Sequence, residues 1–309
     1  MPNIKVLITA SALAVSGLLV GAAPGAAGES SGAFRCSGGT QAAPNFVNIN
    51  PGTYDSITIS QFCAVSLPAT GTVRDEGGLT MNGGGLLNAG ALVGNPPSPT
   101  ASLIVEGNFK MVNSMFVDIG CGAGNGCTLA TGSVFRVEGN VDSRGTIDLH
   151  MHGLQIDGNV SIRGGGGGAY CFPVVAGDFG FHFTTLEDSQ VGGNVTISDI
   201  KSCWSGLARD HVEGNVRVVN NQLADPDAIE ILANVIDGNL SCRGNQLFDF
   251  TATPAAPPVL NNPWDSVEAG FPDLFPRVPE PNTVQGKRSG QCVLASPATM
   301  GGPLGPGPF

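Results

Sequence analysis

Val191-Gly192-Gly193-Asn194-Val195-Thr196-Ile197, Val212-Glu213-Gly214-Asn215-Val216-Arg217-Val218 and Ile236-Asp237-Gly238-Asn239-Leu240-Ser241-Cys242 repeat one phrase: apolar, acidic or small, Gly, Asn, apolar, any, apolar. Earlier copies stand at Val105-Glu106-Gly107-Asn108-Phe109, Val137-Glu138-Gly139-Asn140-Val141 and Ile156-Asp157-Gly158-Asn159-Val160. A phrase recurring every two or three dozen residues marks a repeat architecture. After each Asn the apolar residues alternate, as in Val160 and Ile162 or Val216 and Val218, which is the period of a strand with one buried face. The Gly is read as supplying a positive φ and the Asn as tolerating the left-handed region, so each phrase is a corner feeding a short strand.

Successive glycines of the phrase lie 32, 19, 35, 21 and 24 residues apart. The short spacings suit one coil of about 21 residues, and the long ones the same coil with an excursion of about a dozen residues. The expected fold is all-β: a right-handed parallel β-solenoid (β-helix) over residues 33–292, its hand set by the preference for right-handed crossovers. Stacking in register predicts an internal column of Val141, Val160, Val195, Val216 and Leu240 and a column of corner asparagines. Asn221-Gln222 and Asn245-Gln246 suggest a second polar column. A single coil cannot bury its own apolar side, so the ends need caps.

Residues 1–28 have the form of a secretory signal: Lys5, an apolar run from Val6 to Val20, then the small residues of Ala22-Ala23-Pro24-Gly25-Ala26-Ala27. That run is short for a bilayer span, which needs about 20 residues. No membrane span is expected in the mature chain, and the expected location is extracellular, at or beyond a cell wall. Eight cysteines agree with export: Cys36, Cys63, Cys121, Cys127, Cys171, Cys203, Cys242 and Cys292. Pairing of sequence neighbours is expected, as Cys36–Cys63, Cys121–Cys127, Cys171–Cys203 and Cys242–Cys292, with the first and last capping the end coils. No cysteine pair has zinc-ligand spacing. Without Lys5 the chain carries 13 basic against 25 acidic residues, a net of −12, which argues against nucleic acid and anionic membranes as partners. Residues 251–282 are Pro-rich and read as a cover or excursion, and 293–309 as a disordered Gly/Pro tail.

The Gly-Asn corners, Cys203-Trp204, Ala224-Asp225-Pro226-Asp227 leading into Asn234-Val235-Ile236-Asp237-Gly238-Asn239-Leu240-Ser241-Cys242, and Ser289-Gly290-Gln291-Cys292 resemble a group of exported actinobacterial proteins with a right-handed parallel β-helix. The resemblance implies fold and export over most of the chain. It brings no activity, so no catalytic residue is carried over.

Candidate chemistry is sparse. In Asp148-Leu149-His150-Met151-His152, Asp148, His150 and His152 share one strand face and could hold a transition metal, against the plainer expectation of an exposed polar face. The acidic residues of the phrase, Glu106, Glu138, Asp157, Glu213 and Asp237, would stack with Gly192 as a gap. Calcium is the cation such a column could take, but the calcium-binding nonapeptide is missing and no cofactor is expected. Arg209-Asp210-His211 is the only local set of acid, base and cation, and adjacent strand residues face opposite ways, so it reads as surface. Phe179, Phe181 and Phe183 alternate and could form a partner patch or pack on the flank of the stack. Regular repeats without a convergent cluster point to a non-enzymatic rod that binds cell-wall polysaccharide or a surface protein. A polysaccharide lyase or glycoside hydrolase is the alternative, and would require acids, bases and arginine from several coils to meet.

Overall fold

The computed structural model describes residues 32–68, 70–90, 100–121, 132–168, 182–224, 229–247 and 282–293. Within them the chain is all-β, without an α-helix, and its strands form long parallel sheets. Sheet one has ten strands in chain order, from Ala33–Cys36 through Phe109–Val112, Val141–Arg144, Val160–Arg163, Val195–Ser198, Val216–Val219 and Leu240–Arg243 to Arg288–Gly290. Sheet two has nine, including Phe116–Gly120, Asp148–His152, Phe183–Glu187, Trp204–Ala208 and Ile229–Leu232. Sheet three also has nine, including Phe135–Val137, Gln155–Ile156, Gln190–Val191, His211–Val212 and Val235–Ile236. The chain passes from sheet three to one to two and returns to sheet three one strand further on. This is a β-solenoid-like fold.

Val141 pairs with Val160, Val160 with Val195, Val195 with Val216, and Val216 with Leu240. All five are buried, as their alternation predicts. Val137, Ile156, Val191, Val212 and Ile236 form the matching column of sheet three. Each such side chain contributes about 1.5–3 kcal/mol by leaving water. A two-residue strand such as Gln155–Ile156 persists only because it lies between paired neighbours.

The glycine of the phrase is not a positive-φ residue, which corrects the sequence reading. Positive φ falls at the other two corners instead, at Asn113, Asp199 and Asn220 after sheet one and at Asp188, Arg209 and Ala233 after sheet two. The phrase glycine is required by close approach. A Cβ on Gly158, Gly214 or Gly238 would lie 2.5 Å from the carbonyl oxygen of the phrase glycine one coil before. The same glycines bond N–H to C=O along their column, Gly158 to Gly139, Gly214 to Gly193 and Gly238 to Gly214, at 3.1–3.2 Å.

Beside them runs the asparagine ladder. Asn108 Oδ1 accepts from both the backbone N and the Nδ2 of Asn140, and the pattern repeats through Asn159, Asn194, Asn215 and Asn239, with backbone distances of 2.8–2.9 Å. Lys287, in the degenerate copy Val284-Gln285-Gly286-Lys287, donates its N–H to Asn239 Oδ1 at 2.8 Å. Lysine has no acceptor to pass on, and this run of side-chain bonds stops there. A second ladder joins Ile200, Asn221 and Asn245, all buried, and ends at the half-buried Gln291. A third, which the sequence reading missed, joins Ser189, Asp210, Asn234 and Asn282, all buried.

Disulfides join Cys36 to Cys63 and Cys242 to Cys292, with Cα separations of 5.8 and 5.1 Å. Cys121 and Cys203 are also disulfide-bonded. Their expected partners, Cys127 and Cys171, lie outside the described residues, as do the signal segment 1–28, most of the Pro-rich stretch 251–282 and the tail beyond 293. Among the described residues no helix is long and apolar enough to cross a membrane.

The ladders differ in burial, and mutation should separate them. Asn234→Ala removes the acceptor of Asp210 N and the donor to Leu207 O, both buried. Each stranded group costs about 1–3 kcal/mol, so a loss above about 3 kcal/mol is expected in urea unfolding. Asn159→Ala on the exposed ladder should cost about 1 kcal/mol, because water replaces the lost partners. Equal losses would contradict this distinction.

Candidate functional site

Strand Asp148–His152 turns Leu149 and Met151 into the core and Asp148, His150 and His152 to the opposite face, as alternation predicts. That face is not an exposed polar surface. The side chains of Asp148, His150 and His152 are only 9%, 14% and 3% exposed. Register sets Asp118 beside His150 on one side, and Thr185 beside His150 and Glu187 beside His152 on the other. Four successive strands of sheet two therefore bear on one strip, because Arg209 reaches back to it from the corner after Trp204–Ala208. Its φ of 58° breaks the strand alternation and frees its side chain to do so.

Arg209 bridges two acids. Its Nη2 lies 2.7 Å from Glu187 Oε2, and its Nε 2.7 Å from Asp188 Oδ1. His150 Nε2 is 2.9 Å from Asp148 Oδ1, which also accepts the Phe183 N–H at 2.9 Å. His152 Nδ1 lies 3.8 Å from Glu187 Oε2. Aromatic rings line the strip: Phe183 sits edge-on to His150 at 5.8 Å and to Trp204 at 6.2 Å between centroids. Phe183 is buried, which removes it from any exposed partner patch; Phe179 and Phe181 lie outside the described residues.

Burial governs the charge states. It pushes Asp118 up to about 6, with Asp148 adding to the rise and His150 opposing it. It pushes Glu187 up to about 7 against the pull of Arg209. His152 is driven down to about 3 by burial and by the cationic tendency of His150, so it is neutral at pH 7. For His150 burial favours the neutral form, but the bonded Asp148 together with Asp118 and Glu187 outweighs it and the pKa rises.

As a metal centre the strip is poorly arranged. His152, Glu187 and Asp188 bring ligand atoms within 4.8 Å of one another, but the Arg209 guanidinium is bonded to both carboxylates. A divalent ion would have to displace that cation. The candidate triad is divided, His150 going with Asp148 and His152 with Glu187. In chemical terms the strip offers two carboxyl groups with raised pKa, Asp118 and Glu187, and a fixed guanidinium.

Arg209-Asp210-His211, read from the sequence as surface, splits three ways: Arg209 joins this strip, Asp210 enters the third ladder and His211 is exposed on sheet three. The acidic column of the phrase is largely paired with side chains on sheet three. Arg74 pairs with Glu106, Arg136 with Glu138 and Asp157, and His211 with Asp237. The sequence reading missed Arg74 and Arg136, although Arg136 stands two residues before the phrase acid Glu138.

Comparison with protein-family models, curated proteins and solved structures finds no match to this chain.

Asp210 supplies a pH test. Its Oδ1 accepts the Ser189 N–H at 2.8 Å, while Oδ2 is buried without a partner. Asn234 and Asn282 stand one and two coils on, and their Nδ2 atoms donate to Leu207 O and Ile231 O. By register the corresponding carbonyl at Asp210 is that of Leu186. Burial raises the Asp210 pKa well above the usual carboxylate range, with the Ser189 N–H opposing, so the folded protein holds a proton that the unfolded chain releases. Stability from this group is therefore full below about pH 4 and falls as pH rises through the folded-state pKa. Asp210→Asn replaces the protonated acid with an amide. It is expected to raise the urea midpoint at pH 7 and to flatten its decline between pH 4 and 7; a lower midpoint at pH 7 would oppose this account.

Proposed function

We propose that this chain is an exported rod, a right-handed β-solenoid of about 21 residues per coil, with a structural or binding role at or outside a cell wall. The observation that carries this reading is the continuous asparagine ladder from Asn108 to Lys287, which ties coil to coil along sheet one from strand Phe109–Val112 to strand Arg288–Gly290. Cys36–Cys63 and Cys242–Cys292 clamp the first and last coils, each contributing about 3–4 kcal/mol on loop-closure grounds. Export is supported by these disulfides and by the signal-like segment, and membership of the exported actinobacterial group belongs to the same proposal. In this reading the ionic strip on sheet two is structural: Arg209 joins Glu187 and Asp188, and Glu187 is 1% exposed at its side chain. Cell-wall polysaccharide or another surface protein is the partner.

A specific observation favours a second reading, cleavage of a polysaccharide. Asp118, His150, Glu187 and Arg209 come from successive coils and bear on one strip of sheet two, and a gathering of acids, a base and an arginine is what a glycoside hydrolase or lyase would need. The raised pKa values, about 7 for Glu187 and about 6 for Asp118, would suit a general acid and a base. The test is turnover on a panel of neutral and acidic polysaccharides, read by reducing ends and by unsaturated products, for the wild-type protein and for Glu187→Gln. The rod reading expects no turnover by either. Cleavage by the wild type that falls at least a hundredfold in Glu187→Gln would replace it with the enzymatic one.

A further inference from the structure

Sheet three carries a polar depression that neither the ladders nor the ionic strip uses. Its volume is about 220 Å3, and Arg136, Gln155, Asp157, Gln190, Gly192 and Glu213 are among the residues that line it. Two columns form it. Arg136, Gln155, Gln190 and His211 are paired in register and face outward from the sheet. Next to them runs the acidic column, in which Gly192 alone has no side chain. Asp157 and Glu213 are its neighbours on either side, about 9.6 Å apart by two strand spacings, so the gap at Gly192 opens a notch between two carboxylates.

The gap is built into the backbone. A Cβ at Gly192 would lie 2.7 Å from the Asp157 carbonyl oxygen, so no side chain can fill it without moving the chain. The walls are held differently. Asp157 is fixed by Arg136 at 2.6 Å, whereas Glu213, unlike Glu106, Glu138, Asp157 and Asp237, makes no side-chain bond among the described residues. The side-chain amides of Gln155 and Gln190 are exposed and likewise make none. Each can donate and accept at once. The depression thus collects uncommitted amides and a carboxylate around a floor of bare backbone.

We infer that this notch binds a neutral, hydroxyl-rich glycan, with Gln155 and Gln190 meeting hydroxyls of successive rings and Glu213 accepting from a third. The inference rests on the binding reading above and names its ligand and site. Amides and carboxylates are the groups that pair with vicinal hydroxyls, which also donate and accept. Strands repeat at about 4.8 Å, close to the advance of one ring along an extended glycan, so the amides can match the polymer ring for ring. Charge selects against acidic glycans: Asp157 and Glu213 wall the notch, Glu138 stands one coil beyond Asp157, and Arg136 is already bound to Glu138 and Asp157. The lining has no aromatic platform, so affinity for a short oligomer should be weak and should grow with chain length as successive rungs engage.

The experiment is calorimetric or NMR titration of the full mature chain with neutral 1,4-linked hexose and N-acetylhexosamine hexamers, with a hexauronate for comparison. The variants are Gln155→Ala/Gln190→Ala and Glu213→Gln, which change exposed side chains and leave the core intact. Glu187→Gln on sheet two is the control. The expected result is binding of a neutral hexamer, at least tenfold weaker binding in the Gln155→Ala/Gln190→Ala protein, weaker binding in Glu213→Gln, no change in Glu187→Gln and no binding of the uronate. Neutral-glycan binding unaffected by the sheet-three variants would overturn the notch while leaving a binding role standing. Binding of the uronate in preference would overturn the choice of ligand, and binding of no hexamer at all would overturn the whole inference.

Discussion

Everything in this molecule depends on how closely one Gly-Asn corner can sit on the next. At the phrase glycines there is room for a hydrogen on Cα and nothing larger, because a Cβ would collide with the carbonyl of the coil before. That approach brings each Asn within reach of its neighbour, so one side-chain oxygen can accept both a backbone and an amide N–H. The corner thereby satisfies backbone donors that a strand ending would otherwise leave to water. It also holds the register that places Val on Val in the interior of sheet one. Glycine and asparagine at adjacent positions thus do separate jobs, one permitting the contact and the other bonding across it.

The same stacking rule explains the ionic strip. Once register is set at the corners, any polar residue at an outward position of sheet two stands beside its counterparts in the coils on either side. His150 falls between Asp118 and Thr185, and His152 beside Glu187, without any local motif. Enclosure then raises the carboxyl pKa values, and Arg209 limits the rise at Glu187. A buried ionic group is weak evidence for stability, since hydrophobic replacements are often as stable. Such a strip in a chain with so few charges is a built feature, whether it fixes the path of the chain or performs chemistry.

Strand identity and inward columns were legible in the sequence because they depend on a period of two within a few residues, as in Val160 and Ile162. The asparagine columns were legible because like residues recur at each copy. The role of the phrase glycine was not, because it depends on the distance between coils, which no local pattern records. The strip was half legible. Asp148, His150 and His152 could be placed on one face, but their partners are separated by offsets of 32 and 35 residues that contain excursions. Arg209 escaped because it lies in a left-handed corner, where the rule of alternating faces does not apply. Asp210 escaped for the converse reason: its place in a buried ladder is usually an asparagine's, and only the neighbouring Asn234 and Asn282 reveal it.

The central claim is that exposed corner amides are held by the coil beside them, and hydrogen exchange at the backbone N–H groups of Asn140, Asn159, Asn194, Asn215 and Asn239 tests it most directly. Exposed as their side chains are, these groups donate to the asparagine oxygen of the preceding coil. The account predicts that they exchange as slowly as the buried N–H groups of Val141, Val160 and Val195, opening only when neighbouring coils separate. Exchange at the rate of free surface turns, with the valines still protected, would show that the asparagine ladder does not hold the coils together.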